Sequence, residues 1–298
     1  MKDIGLSYLL SKMVLFTFFF TIFVLPEVVS AQEENDWWNS QEIMAKGYGI
    51  NNNIKDISET NQNELRERAI ADARRNLANK IVGLRIKADE IINEELASSI
   101  AALAVVKKER VDANGSMVVN LGISIYGNEN SLSQLIFKSH IKKNLPLPTK
   151  NNGKIQGNYT ALIIDCTEWE DTHKFVLNPV IMPIIKDNSD RIIYGYEYLD
   201  YDVAVKNGIV QYAPDLNHSE YGLAVGNNPL IVKVTSIVND SGDLVISVKD
   251  ADKILLENGI THFLDKAAVI IVSNRIDISV EDNRGGRSWG VRDSDVFS

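Results

Sequence analysis

The chain of 298 residues holds one cysteine, Cys166, so no disulfide can form within it. In an exported protein a lone thiol is either buried or used in an intermolecular contact. Cys166 closes the apolar run ALIIDC, which reads as a strand. The nearby Asp165 and Glu168 raise a thiol pKa rather than lower it, so a buried, unreactive thiol is expected. Histidine is equally scarce. His140, His173, His218 and His262 are the only four, and no two stand at metal-ligand spacing. With no HExxH or CxxC, a zinc site is not expected. GxGxxG, GxxxxGK[ST] and GxSxG are also absent, which removes the usual phosphate cradles and the nucleophile elbow. No cofactor is expected. An excess of positive charge is missing too: 31 basic against 40 acidic residues give a net charge of −9. Nucleic-acid binding draws on a basic face that releases counterions, so no nucleic acid is expected as a partner.

Long apolar runs are confined to the amino terminus. Lys2 and Lys12 precede MVLFTFFFTIFVL, the 13 residues from Met13 to Leu25, and then come Pro26, Glu27 and VVSA. Val29 and Ala31 place small residues where a signal peptidase cuts, so residues 1–31 read as a signal peptide. The run is shorter than the roughly 20 residues that span a bilayer. Any membrane contact is therefore expected only through this segment left uncleaved, and the location is expected to be periplasmic or at the cell surface.

The length favours two domains after the leader. Ile43 to Ile50 (IMAKGYGI) reads as an edge strand. A helix follows from Thr60 to about Val82, with Leu65, Ala69, Ala73, Leu77 and Ile81 forming one apolar stripe at every fourth residue. LRIKA is a short extended piece, and Glu90 to Ala102 is helical or mixed. Ala104 to Val111 and Met117 to Tyr126 are strands joined by the turn DANG, and Asn128 to Ile141 closes the domain as a helix. KKNLPLPTKNNGKIQG, rich in Pro, Gly and Lys, marks a linker. The expected domains are 32–145 and 158–274, with a linker at 146–157 and a loose polar tail at 275–298.

In the second domain NYTALIIDC is a strand, and NPVIMPII and RIIYGYEYL pair across KDNSD. DYDVAVKNG is a short helix closed by Gly208. PLIVKVTSIV and GDLVISV pair across NDSG. DADKILLENG is a helix with an acidic start and a Gly259 stop, and AAVIIVS is the last strand. The fold class is α+β: two small mixed domains, each an antiparallel-rich sheet packed by helices.

The helix ADARRNLANKI, followed by the hairpin VDANGSMVVNLGISIYG, resembles the twenty-kilodalton bacterial surface lipoproteins and the related N-terminal domain of flagellar assembly protein T. In those proteins an AxxxAxxNLxxxI helix packs on strands, the last ending in a glycine after an aromatic or similar residue. The pieces GNYTALIID, VKNGIVQYA, GNNPLIVK and VISVKDADKI look like a region that accompanies such domains in envelope proteins. The resemblance covers most of residues 45–272. It implies an exported envelope protein, associated with the surface or with flagella, with protein partners and no catalytic residue. The lipidated cysteine of the lipoproteins is missing here.

Three sets of residues are candidates for chemistry. Asp165, Glu168, Glu170 and Asp171 follow an apolar strand, a place where carboxylates can serve as acid and base in a periplasmic hydrolase; a solvated charged loop is the plainer reading. Arg74 and Arg75, with Arg66 and Arg68, give one helix a positive face suited to an anionic cell-wall glycan; solvated arginines, one paired with Asp72, are the plainer reading. Trp37 and Trp38 are an aromatic pair for a glycan or membrane surface, or a dock for the amino-terminal arm. DNSD at Asp187 to Asp190 and NDSGD at Asn239 to Asp243 supply oxygens but lack calcium-loop spacing, so they are expected to be turns. The leading expectation is a non-enzymatic protein acting by binding or assembly. A hydrolase needs a cleft that joins the carboxylates to a distant polar group, and an assembly protein needs an exposed edge strand or apolar face.

Overall fold

A computed structural model describes residues 40–51, 59–87, 90–127, 129–150, 154–215, 226–238 and 242–274. The signal peptide, Trp37, Trp38, His218, the centre of the NDSG turn and the 275–298 tail lie outside the described residues.

The four-residue apolar rhythm folds as expected. Helix α1 (Glu59–Ile81) buries Leu65, Ala69, Ala73, Leu77 and Ile81, each at most 2% exposed. It lies on a three-stranded antiparallel sheet of β1 (Glu42–Gly49), β4 (Val105–Val111) and β5 (Met117–Ser124), in the order β1-β5-β4. Between α1 and β4 come β2 (Arg85–Lys87), β3 (Glu90–Ile91) and helix α2 (Glu94–Ala102), which Asn93 caps by accepting from Leu96 N–H at 2.9 Å. The DANG turn between β4 and β5 is organised by Asp112, whose Oδ1 accepts from Asn114 N–H and Ser116 N–H.

The helix approaches β1 far more closely than ordinary side chains permit. A Cβ on Gly47 would lie 2.2 Å from the Ala69 carbonyl oxygen and from the Ala73 nitrogen. On Gly49 it would lie 1.8 Å from the Leu65 carbonyl oxygen. The strand glycines and helix alanines thus bring the two backbones into contact, and this contact disposes of the outer edge of β1. Tyr48 N–H donates to Asp72 Oδ2 at 3.0 Å, Asn76 Nδ2 donates to Lys46 O at 2.8 Å, and Lys80 Nζ donates to Met44 O at 2.8 Å. Four helical residues advance about 6 Å, and two strand residues advance about 6.8 Å. Asp72, Asn76 and Lys80 therefore keep step with Tyr48, Lys46 and Met44, and the helix stands in for a missing strand.

The second half holds two sheets. In the first, β6 (Ala161–Asp165), β9 (Gln211–Ala213), β10 (Pro229–Lys233) and β13 (Val269–Val272) run in the order β10-β6-β13-β9, all parallel. In the second, β7 (Ile185–Asp187), β8 (Ile192–Tyr194), β11 (Ser236–Ile237) and β12 (Leu244–Ile246) run in the order β11-β12-β7-β8. Helices α4 (Thr167–His173), α5 (Tyr201–Asn207) and α6 (Val248–Thr261) connect them. The fold is α+β, and five of the nine strand pairings among the described residues are antiparallel.

ALIID and VIIV, expected as strands, are buried along their whole length, the burial pattern of parallel strands. Other expectations change. PLIVK does not pair with GDLVISV: β10 joins β6 in parallel, and only Ser236 and Ile237 form the hairpin with β12. The helix after β5 is only α3 (Leu132–Ile136), capped by Ser131. Helix α6 runs through Gly259 and ends at His262, which takes the left-handed conformation; a Cβ on Gly259 would meet nothing within 4 Å.

The chain changes architecture near residues 146–157, but the two halves share a core. One cluster of buried side chains runs from Ile43 to Ile271, and the described residues belong to one compact unit. Ile181 and Met182 N–H donate to the carbonyls of Arg85 and Ile86, and Gly127 N–H donates to Val205 O. The segment expected as a linker is fastened to α6. Asp252 accepts from Thr149 N–H and Arg191 Nη2 on one oxygen, and from Thr149 Oγ1 and Lys150 N–H on the other. Glu257 accepts from Gln156 N–H at 2.7 Å and Gly157 N–H at 2.8 Å. Arg191 also holds Leu147 O and Asp187.

Two predictions follow from these contacts. Gly47→Ala forces the two backbones apart and lowers stability by about 3 kcal/mol, whereas Gly259→Ala, in open helical surroundings, raises it by about 0.5–1 kcal/mol. Urea unfolding of both variants checks the opposite signs. Asp252 concerns acid. Burial pushes its carboxyl up, but the hydrogen bonds from Thr149 and Arg191 outweigh this and hold it at about 2. An unfolded aspartate titrates near ~3.9. Its contribution is therefore complete above that value and is lost as pH falls through about 2. The stability gap between the parent and Asp252→Asn is expected to be widest above about pH 5 and to narrow from pH 4 toward 2; a pH-independent gap contradicts this role.

Candidate functional site

The four carboxylates near the end of β6 do not converge. Asp165 Oδ1 accepts from Thr167 N–H at 3.0 Å and Thr167 Oγ1 at 2.7 Å, fastening the strand-to-helix corner. Glu168 points outward and pairs with Lys233 Nζ at 2.5 Å. Glu170 turns inward and is fully buried, accepting from Ser273 Oγ at 2.5 Å and Asn274 N–H at 3.1 Å. Asp171 is exposed and accepts from Asn274 Nδ2 at 3.4 Å. On a helix each residue turns about 100°, so these neighbours in sequence diverge in space. Cys166 is buried, and burial first, then the charges of Glu170 and Asp165, push its thiol well above the usual range. Asp187 accepts from Ser189 and Arg191 N–H and from the Arg191 guanidinium, which makes DNSD a turn. Among the described residues no three His, Cys, Asp or Glu side chains are grouped to hold a metal ion, and no helix is long and apolar enough to cross a membrane.

Arg74 and Arg75 line an open groove between α1 and α2, of about 370 Å³, with Asn79, Val82, Glu94 and Ser98. Arg75 is tied to Asp72, Arg68 to Glu64 at 2.5 Å, and Arg66 to Glu109 at 2.8 Å and Glu67 at 3.6 Å. Three of the four arginines expected to form a positive face are therefore paired with carboxylates. Arg74 forms no ion pair among the described residues and shares the groove with Glu94.

The three-stranded sheet has a partly exposed outer face. α1 packs on the inner face, and the strand register places three rows on the other: Met44–Gly122–Val105, Lys46–Asn120–Lys108 and Tyr48–Val118–Arg110, of which Val118 is buried between its neighbours. Met44, Tyr48 and Val105 are 46%, 50% and 47% exposed. A bulge between Val106 and Lys108 breaks the alternation of β4. Lys107 lies over Gly122 and reaches Glu42 at 2.5 Å, and so shares this face with Lys108. All seven residues of β4 are exposed. It pairs with β5 on one side, and among the described residues no element lies along the other. Among the described residues the two edges of one sheet thus differ: helix side chains reach β1, and nothing lies along β4. The run VVKKERV lacks the period-two signal of a half-buried strand, the one local sign of this exposure.

Residues 161–275 match the family described as Treponema pallidum Tp0624, second domain. The match begins at the first residue of β6 and takes in the whole parallel sheet; α1, the groove and the β4 edge precede it. No curated protein matches the chain.

The geometry assigns Glu170 to stability. Glu170→Ala leaves the Ser273 hydroxyl and the Asn274 N–H without this partner, at a cost of about 2 kcal/mol. Glu168→Gln, at the surface, is expected to stay within about 0.5 kcal/mol of the parent. Denaturant titration of both separates a buried clasp from a solvated pair.

Proposed function

We propose that this chain is an exported, non-enzymatic protein of the cell envelope that acts by binding or assembly with protein partners. The observation that supports this most is the long β4 edge, which no other described element covers. Exposed strand edges are templates for pairing, and folds that do not use them shorten, cover, bulge or charge them. Among the described residues β1 is covered and β4 is not, and the bulge and basic residues of β4 restrict which strands it admits. The export leader read at residues 1–31 and the resemblance of residues 45–272 to surface lipoproteins and flagellar assembly protein T favour an envelope location, with a surface or flagellar structure as the setting.

The test is photo-crosslinking in cells, with a photoreactive residue at Val105 or Lys108 and a control at Lys249. Discrete adducts from the two β4 positions, absent from the control, support the proposal. Recovery of a soluble monomer with no adduct from any position refutes it.

The groove favours a second reading, the binding of an anionic cell-wall glycan, because Arg74 and Arg75 both line it. On that reading the protein co-sediments with purified cell-wall sacculi, and Arg74→Ala with Arg75→Ala abolishes this.

A further inference from the structure

We infer that the β4 edge accepts an extended, acidic protein segment as an added strand, an inference that rests on the binding or assembly function proposed above. The backbone is prepared for it. β4 is seven residues long, exposed throughout and, among the described residues, paired with β5 on one side only. A segment laid along it satisfies the outer row of N–H and C=O groups, as in other strand-addition complexes.

Charge selects the segment. β4 carries Lys107, Lys108 and Arg110 against Glu109, a local charge of +2 on a chain of −9. Lys107 is engaged with Glu42, and Glu109 with Arg66. Lys108 and Arg110 form no ion pair among the described residues, and the register places both on the outer face. An added strand sets its side chains beside these two, where opposite charges stabilise and like charges destabilise. A second copy of β4 would bring +2 against +2, so the edge discourages self-pairing and admits an acidic strand. Met44, Tyr48 and Val105 on the same face give apolar residues of that partner a surface to cover.

The probe is a ten-residue peptide in which Glu alternates with Val and Thr, compared with its Lys counterpart and with phosphatidylglycerol vesicles. Binding to the full-length protein is read by fluorescence anisotropy, and amide hydrogen exchange locates the contact. The acidic peptide is expected to bind at least ten-fold more tightly than the basic one and to slow exchange in residues 105–111. Lys108→Glu with Arg110→Glu is expected to weaken it by at least about ten-fold, and Lys108→Gln with Arg110→Gln by a smaller factor. Equal binding of both peptides, binding of neither, or vesicle binding without protection of β4 overturns the inference. If adducts at Val105 and Lys108 persist in cells while the acidic peptide fails, the partner chemistry is wrong and the binding function stands. If both fail, the binding function falls as well.

Discussion

The backbone contact between α1 and β1 is the constraint on which the rest of the first half depends. Gly47 and Gly49 present no side chain, and Ala69 and Ala73 present the smallest, so helix and strand meet with no layer between them. At that distance Asp72, Asn76 and Lys80 reach the outer Tyr48 N–H and the Lys46 and Met44 carbonyls of β1. With α1 drawn to that edge and to the inner face, no other described element lies along the far edge, β4.

The second half solves a different problem. Its parallel strands bury apolar residues on both faces: Leu162, Ile164, Val269 and Ile271 enter the common core, and Ala161, Ile163, Ala213, Ile270 and Val272 form a cluster on the other side. Its charged groups are spent on fastening. Asp252 and Glu257 hold the incoming chain, Asp187 and Arg191 brace the β7–β8 turn, and Glu170 clasps the end of β13. Of the carboxylates near the end of β6, Asp165 and Glu170 fasten the chain, while Glu168 and Asp171 lie at the surface. The family match to residues 161–275 coincides with this half.

What the sequence made legible was local. The α1 stripe was plain because one helix face carries every buried residue, and the turns at Asp112 and Asp187 because each aspartate organises its own neighbourhood. The partners of β10 and the capture of residues 147–157 were not legible. Each depends on residues tens of positions away or more, as Thr149 does on Asp252. The pairing of Arg75 with Asp72 was visible as a local spacing, whereas that of Arg66 with Glu109 depends on the fold. The apolar continuity of ALIID and VIIV is the signature of buried parallel strands, and it was visible without the order in which they pair. The glycines of GYG were visible, but their purpose appears only when the helix is set against them.

The central claim is that β4 is open in the isolated protein and occupied in the cell. Amine-reactive footprinting of Lys107 and Lys108, in intact cells and in purified protein with Lys249 as reference, tests it most directly. Occupation predicts that Lys107 and Lys108 are labelled several-fold less in cells while Lys249 is labelled equally. Equal labelling of all three lysines in both settings would contradict the account.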